Sequence, residues 1–221
     1  MKNIIILIVT SFLLASCTTT SFTRGSLYPM MYEEKPMSIL IMPPINNTVH
    51  VEAKEYFYTS LNHPLCEKGY YVISPFLAMD MFQSESAYDS EMFINGSLAP
   101  FRNVFGADAA LFTIINEWEK SKIGSSIKVK IEYILKSTKT GEILFERQGD
   151  LTVDCGLDVG HPLANVVASI INTALTDNII AARRCNSFIL QDLPCGKYSS
   201  YFENDASLAA GDKKYEGVIK K

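Results

Sequence analysis

The sequence predicts an α/β layered sandwich, a mixed β-sheet of about five strands covered by helices in the order β-α-β-α-β-β-β-α. Three observations carry this. Short continuous apolar runs alternate with helix-period segments in the first half; two long segments of alternating pattern follow; a long helix-period segment closes the series. The 221 residues are 48% hydrophobic and 20% charged, enough apolar content for one core and a single domain, placed at residues 37–196. A net charge of −4 leaves no broad basic footprint for phosphates, so nucleic acid is excluded as a partner class.

Each element follows from its residues. Ser38-Ile39-Leu40-Ile41-Met42 is a buried strand that Pro43-Pro44 should stop. Asn46-Asn47-Thr48 supplies turn and cap residues, after which Ala53, Phe57, Leu61 and Leu65 recur every four residues as one helical face, with Pro64 kinking or ending it. Gly69 separates that helix from a second strand at Tyr70-Tyr71-Val72-Ile73. Residues 76–85 are helical, and the polar stretch to Gly106 holds one or two short helices. Asp108 to Trp118, with the continuous apolar run Ala109 to Ile115, reads as the central strand. Ile127, Val129, Ile131, Tyr133 and Leu135 alternate with mostly polar residues, and a turn at 138–142 leads into a partner strand at 143–153. Leu163, Val166, Val167, Ile170, Ile171, Ala174 and Leu175 share one face of a helix from about Pro162 to Arg184. Residues 17–36 read as a tether and 197–221 as a frayed C-terminal tail.

The amino terminus is not part of the fold. Lys2 precedes an apolar run from Ile4 to Ala15, too short for a membrane span of roughly 20 residues, so residues 1–16 read as a signal peptide. The run ends in Leu14-Ala15-Ser16-Cys17, which resembles the bacterial lipobox. That resemblance implies a diacylglycerol on the Cys17 thiol, cleavage before it, and acylation of the new amine, with palmitate among the chains. Several acyl chains anchor firmly where one is marginal. Thr18, rather than aspartate, follows the cysteine, so the expected address is the outer membrane, facing the periplasm. Removing the 16 leader residues leaves 205, and with Lys2 gone the side-chain balance is −5.

Four further cysteines permit two disulfides in an oxidising compartment. Cys185 with Cys195, closing a short loop after the last helix, is the preferred bridge, and Cys66 with Cys155 follows by elimination; the alternative is four reduced, buried small side chains. The thiol spacings do not match a structural zinc site. Nucleophile-elbow, phosphate-loop, zincin and dinucleotide motifs are absent, and His50, His63 and His161 sit at element edges as caps or turn residues. No catalytic residue, metal or cofactor is therefore expected. Asn46 and Asn47, beyond the carboxyl end of a strand, are the candidate ligand or partner loop, with helix capping as the competing role. Trp118 is either an interface anchor or core packing. Lys128, Lys130 and Lys136 would guard the hairpin if one of its strands were an edge.

The segments Leu40 to Thr48, Pro64-Leu65-Cys66-Glu67-Lys68-Gly69-Tyr70-Tyr71-Val72, Gly106-Ala107-Asp108-Ala109 and Leu193-Pro194 together resemble a family of uncharacterised Gram-negative lipoproteins known from a neisserial surface antigen. The resemblance implies a fold like the amino-terminal domain of TolB and an envelope interaction module without catalytic residues. It also implies company with lipoproteins resembling the curli secretion factor CsgG, and pairing as a homodimer. A binding module for a small envelope molecule, such as a glycan or lipid fragment held at Asn46 and Asn47, is the alternative function.

Overall fold

The computed structural model describes residues 22–121, 126–155 and 174–219. The expected leader, Cys17, His161 and the first part of the last helix lie outside these residues. The first strand, β1 (Ser38–Ile41), is buried throughout, as its continuous apolar run requires. Pro43-Pro44 interrupts it without ending it. The chain resumes as β2 (Ile45–Asn46), and both pieces pair in parallel with β4 (Ala109–Lys120). The gap falls where two successive residues have no N–H to give the ladder. On the other side of β1 lies β3 (Tyr71–Val72), also parallel. From β4 the sheet continues antiparallel through β5 (Ser126–Ser137) and β6 (Ile143–Asp154), and ends on β7 (Lys214–Ile219), parallel to β6. The order is β3-β1-β4-β5-β6-β7, a mixed sheet of seven strands where about five were expected. The difference is β2, hidden behind the prolines, and β7, in the expected tail.

Helices cover both faces: α1 (Arg24–Leu27), α2 (Pro29–Glu34), α3 (Ala53–Ser60), α4 (Asn62–Glu67), α5 (Pro75–Ser84), α6 (Glu91–Ile94), α7 (Ala99–Phe105) and α8 (Ala174–Ile189). The stripe through Ala53, Phe57, Leu61 and Leu65 breaks at Leu61 because the ring of Pro64 would meet the carbonyl of Ser60 in an unbroken helix. One core packs Phe57, Leu61, Leu65, Ala181 and Ile189 against Ile39, Ile41 and the inward residues of β5 and β6; the other packs Ala78, Phe82, Leu98 and Phe101 against Leu40, Met42 and Phe112. The start of β4, covered by both, is buried on each face. Inside the first core, Asn186 donates to Phe57 O (3.2 Å) and Ser60 Oγ (2.8 Å) and accepts from the Tyr133 hydroxyl, which registers α8 on α3 and β5.

Two expectations about the chain ends are corrected. The expected tether is folded from Thr23 onward. Thr23 and Ser26 cap α1 reciprocally, Pro29 opens α2, and Tyr28 and Met31 are buried, with the Tyr28 ring 4.7 Å from that of Phe145. The expected tail is folded as well. Residues 196–210 form a collar against Thr23–Gly25 and residues 68–69, and β7 then joins the sheet. Gly69, at φ +85°, lies so close to Ser199 and Gly196 that a Cβ on either glycine would strike backbone. With β7 in place, the hairpin is interior, and its lysines pair across strands, Lys128 with Glu117 (3.0 Å) and Lys130 with Asp150 (3.1 Å).

Two buried ion pairs hold these ends. Arg147 is 1% exposed; its guanidinium meets Asp192 at 2.9 Å and donates to the Phe188, Ile189 and Asp212 carbonyls, while Asp192 accepts from Gly211 N–H at 2.9 Å. Arg24 meets Asp205 at 2.8 Å, and Asp205 also accepts from Tyr32 Oη (3.0 Å) and Cys195 N–H (2.8 Å). Burial alone would raise the Asp205 carboxyl, but the Cys195, Arg24 and Tyr32 donors outweigh it and hold the group below its usual value.

Arg147→Leu leaves Asp192 buried without its partner, so it should lower stability by about 3–5 kcal/mol, read from urea unfolding, and expose the β7 amides to hydrogen exchange. Because Asp205 titrates below its unfolded value of about 3.9, its stabilising contribution is complete above that pH and is lost as acid passes through the lower folded value. Asp205→Asn should be less stable at pH 7 and fall less steeply in acid, measured by unfolding at a series of pH values.

Candidate interaction surfaces

The two asparagines singled out in the sequence lie at the end of β2 (Asn46) and at the start of the loop that leads to α3 (Asn47). Asn46 donates from Nδ2 to His50 O (2.9 Å) and accepts at Oδ1 from Thr48 N–H (3.1 Å) and Thr48 Oγ1 (2.8 Å). Asn47 donates from Nδ2 to Asn116 Oδ1 (2.8 Å), beside a register shift in β4, and from its N–H to Ile115 O (2.9 Å). These groups shape the loop itself, which is the turn role of short polar side chains. Asn47, Val49, Val51 and Glu52 are the exposed residues of this stretch. His50 and His63 lie on the surface beside Glu52 (3.6 Å) and Glu67 (3.3 Å). Trp118 is buried against Tyr56 and Phe57, so core packing is its role. Among the described residues no three His, Cys, Asp or Glu side chains converge as metal ligands.

The expected bridges are corrected too. Cys66, Cys185 and Cys195 carry free thiols, which removes both the Cys185–Cys195 and the Cys66–Cys155 pairing. The reason lies in α8, which runs five residues beyond Arg184. Cys185 therefore stays on a helix face inside the core, where burial, and then the neighbouring Cys155, push its thiol far above the usual range. Cys195 sits on the collar near Asp205 and Ser199. Cys66 is exposed at the end of α4.

Three surfaces stand out. The layer of α5, α6 and α7 buries Ala78, Phe82 and Phe101 inward and leaves Phe76, Leu77, Met81, Met92 and Val104 exposed outward. The open face of β5, β6 and β7 is polar, with a shallow depression of about 300 Å³ lined by Lys130, Glu132, Gln148, Asp150, Lys214 and Glu216. A groove of about 440 Å³ beside the collar is lined by Arg24, Lys68, Gln191, Cys195, Tyr201 and Leu208. There Lys68 Nζ (2.5 Å) and Arg24 Nη2 (3.0 Å) both donate to Gln191 O. Burial, and then the nearby Arg24 charge, lower the Lys68 ammonium. Sequence reading missed this groove because its wall comes from the expected tether and tail; the Thr23-x-x-Ser26 capping pattern and Pro29 were the available signal.

The motifs behind the family resemblance have structural roles. Asp108 Oδ2 accepts from Met37 N–H (3.0 Å), Ser38 N–H (3.2 Å) and Ser38 Oγ (3.1 Å), tying β1 to β4. Lys68 and Gly69 receive the collar through Gly196 and Tyr198 N–H, and Tyr70 Oη donates to Pro194 O at 2.7 Å.

Thiol labelling of the native protein should modify Cys66 quickly, Cys195 slowly and Cys185 only after unfolding. A non-reducing peptide map that links residues 185 and 195 contradicts this arrangement.

The family described as "Putative lipoprotein GNA1162-like" matches residues 27–196. A curated relative, "Putative lipoprotein NMB1124/NMB1162" of Neisseria meningitidis serogroup B, is 28% identical over 157 residues, 68% of this chain and 72% of the relative. The crystal structure of lipoprotein GNA1162 from Neisseria meningitidis superposes with a TM-score of 0.50 at 22% identity, covering 62% of this chain and 96% of that one. A looser likeness, TM-score 0.42 at 13% identity, is to the PelC dodecamer from Paraburkholderia phytofirmans, over 74% of this chain and 91% of that one. The family match spans both cores and every strand but β7, and the chain belongs to the GNA1162-like lipoprotein family.

Proposed function

We propose that this chain is anchored by acyl chains on Cys17 in the outer membrane, faces the periplasm, and serves as an interaction module of an envelope secretion or transport assembly. The observation that carries the docking role is the outward face of α5, α6 and α7, where Phe76, Leu77, Met81, Met92 and Val104 are exposed on one layer. Apolar side chains grouped on the surface of a folded domain are the usual substrate of protein docking. The partners of this reading are a CsgG-like lipoprotein and a second copy of the chain. Anchoring confines the docking face to one membrane shell and raises its effective concentration for partners held there. The alternative of a small envelope ligand at Asn46 and Asn47 has less support, because both side chains already bond within their loop and to Asn116. The TolB-like topology belongs to the same proposal.

Two measurements test it. Cys17→Ala should abolish fatty-acid labelling and detergent partitioning; retention of both refutes the anchor. A photo-crosslinking residue at Phe76 or Leu77 in intact cells should yield an adduct identified as an envelope lipoprotein or a second copy, and one at Glu216 should not. Failure at both α5 positions across growth conditions refutes the docking face.

A further inference from the structure

The folded tether has a geometric consequence for orientation. Only five peptide units separate Cys17 from Phe22, and an extended chain of that length spans at most about 18 Å. From Phe22 onward the chain is clamped. Ala210 N–H donates to Phe22 O (2.8 Å), Thr23 bridges Ala209, Arg24 N–H donates to Leu208 O (3.0 Å), and Gly25 N–H donates to Ala206 O (2.9 Å). Lengthening the tether would require peeling this segment off the collar and breaking the buried Arg24–Asp205 pair. The surface around the collar is therefore held within reach of the acylated residue.

That surface has the composition of a membrane interface. Phe22 is 48% exposed, Tyr198 70%, Tyr201 64% and Leu208 47%. Tyrosine places an apolar ring in the headgroup layer with its hydroxyl toward water. Tyr201 and Leu208 line the same groove as Lys68 and Arg24, so two cationic side chains lie beside the apolar ones. Lys197 is exposed next to Tyr198. Phe76 and Leu77 belong to the helix layer on the opposite face of the sheet.

We infer that the collar surface formed by Phe22, Tyr198, Tyr201 and Leu208, with Lys68 and Lys197 beside it, rests on the phospholipid headgroups of the leaflet that holds the Cys17 anchor. This rests on the proposed lipidation of Cys17 and adds to it a fixed orientation, in which α5 is turned away from the membrane.

The test uses the lipidated full chain, reconstituted in vesicles of phosphatidylethanolamine and phosphatidylglycerol that carry a headgroup nitroxide lipid. The chain has one tryptophan, Trp118, which is buried and reports folding in every variant. Tyr198→Trp and Tyr201→Trp each add a probe on the collar, and Phe76→Trp adds one on the far layer. Emission from the added tryptophan at 198 and 201 should be largely quenched and blue-shifted, and emission from position 76 should match nitroxide-free vesicles. Equal, weak quenching at all three positions, in protein whose mass shows acylated Cys17, overturns the orientation and leaves the anchor standing; that is also the result if a protein covers the collar. A mature mass without acyl chains overturns both.

Discussion

Arg147 is the constraint on which the closed form of the domain depends. A guanidinium cannot shed its charge at any ordinary pH, so its burial is tolerated only when its donors are met. Here they are met by two carbonyls at the end of α8, one carbonyl of the loop before β7, and the Asp192 carboxylate. The same carboxylate takes the Gly211 N–H, so one charge ties β6, the end of α8 and the start of β7 together. Phe188 packs at a tilt against Tyr215 on this scaffold, which seats the last strand against the helix.

A second buried pair, Arg24 with Asp205, lies closer in the chain to the proposed anchor at Cys17. Asp205 gathers Arg24, Tyr32 and the Cys195 amide, three donors from segments far apart in the chain. Its effect is to convert both chain ends into folded surface. The consequence for function is spacing. With folding begun by Thr23, the stretch between the proposed anchor and the domain is five residues, which under the proposed lipidation keeps the domain close to its membrane. The apolar layer of α5, α6 and α7 and the collar then lie on different sides of one sheet, which separates the proposed docking face from the proposed membrane face.

Legibility from sequence followed locality. The central strand, the hairpin and the break in the first helix were readable because each depends on neighbours in the chain: a continuous apolar run, an alternation of period two, a proline four residues after a carbonyl. β7 was unreadable because only Tyr215 and Ile219 mark its inner face, with Gly217 between them. The Cys185–Cys195 pairing failed on a boundary. Nothing local stops α8 at Arg184, and five more helical residues keep Cys185 in the core. Asn46 and Asn47 were expected as a ligand or partner loop; Asn46 ends β2, and the two side chains bond to His50 and Asn116, which holds the following loop on β4.

By itself the sequence determined the class of fold, the order of its central elements, the family to which the chain belongs, and the leader-cysteine pattern behind the proposed anchor. All of these are written in periodicity and in contiguous motifs. Only the tertiary structure decided where the folded domain begins and ends, which cysteines stay apart, and which surfaces are open. The ends of the domain depend on long-range charge pairs, Arg24 with Asp205 and Arg147 with Asp192, and the cysteines on how far α8 runs; both are set by contacts between segments distant in the chain.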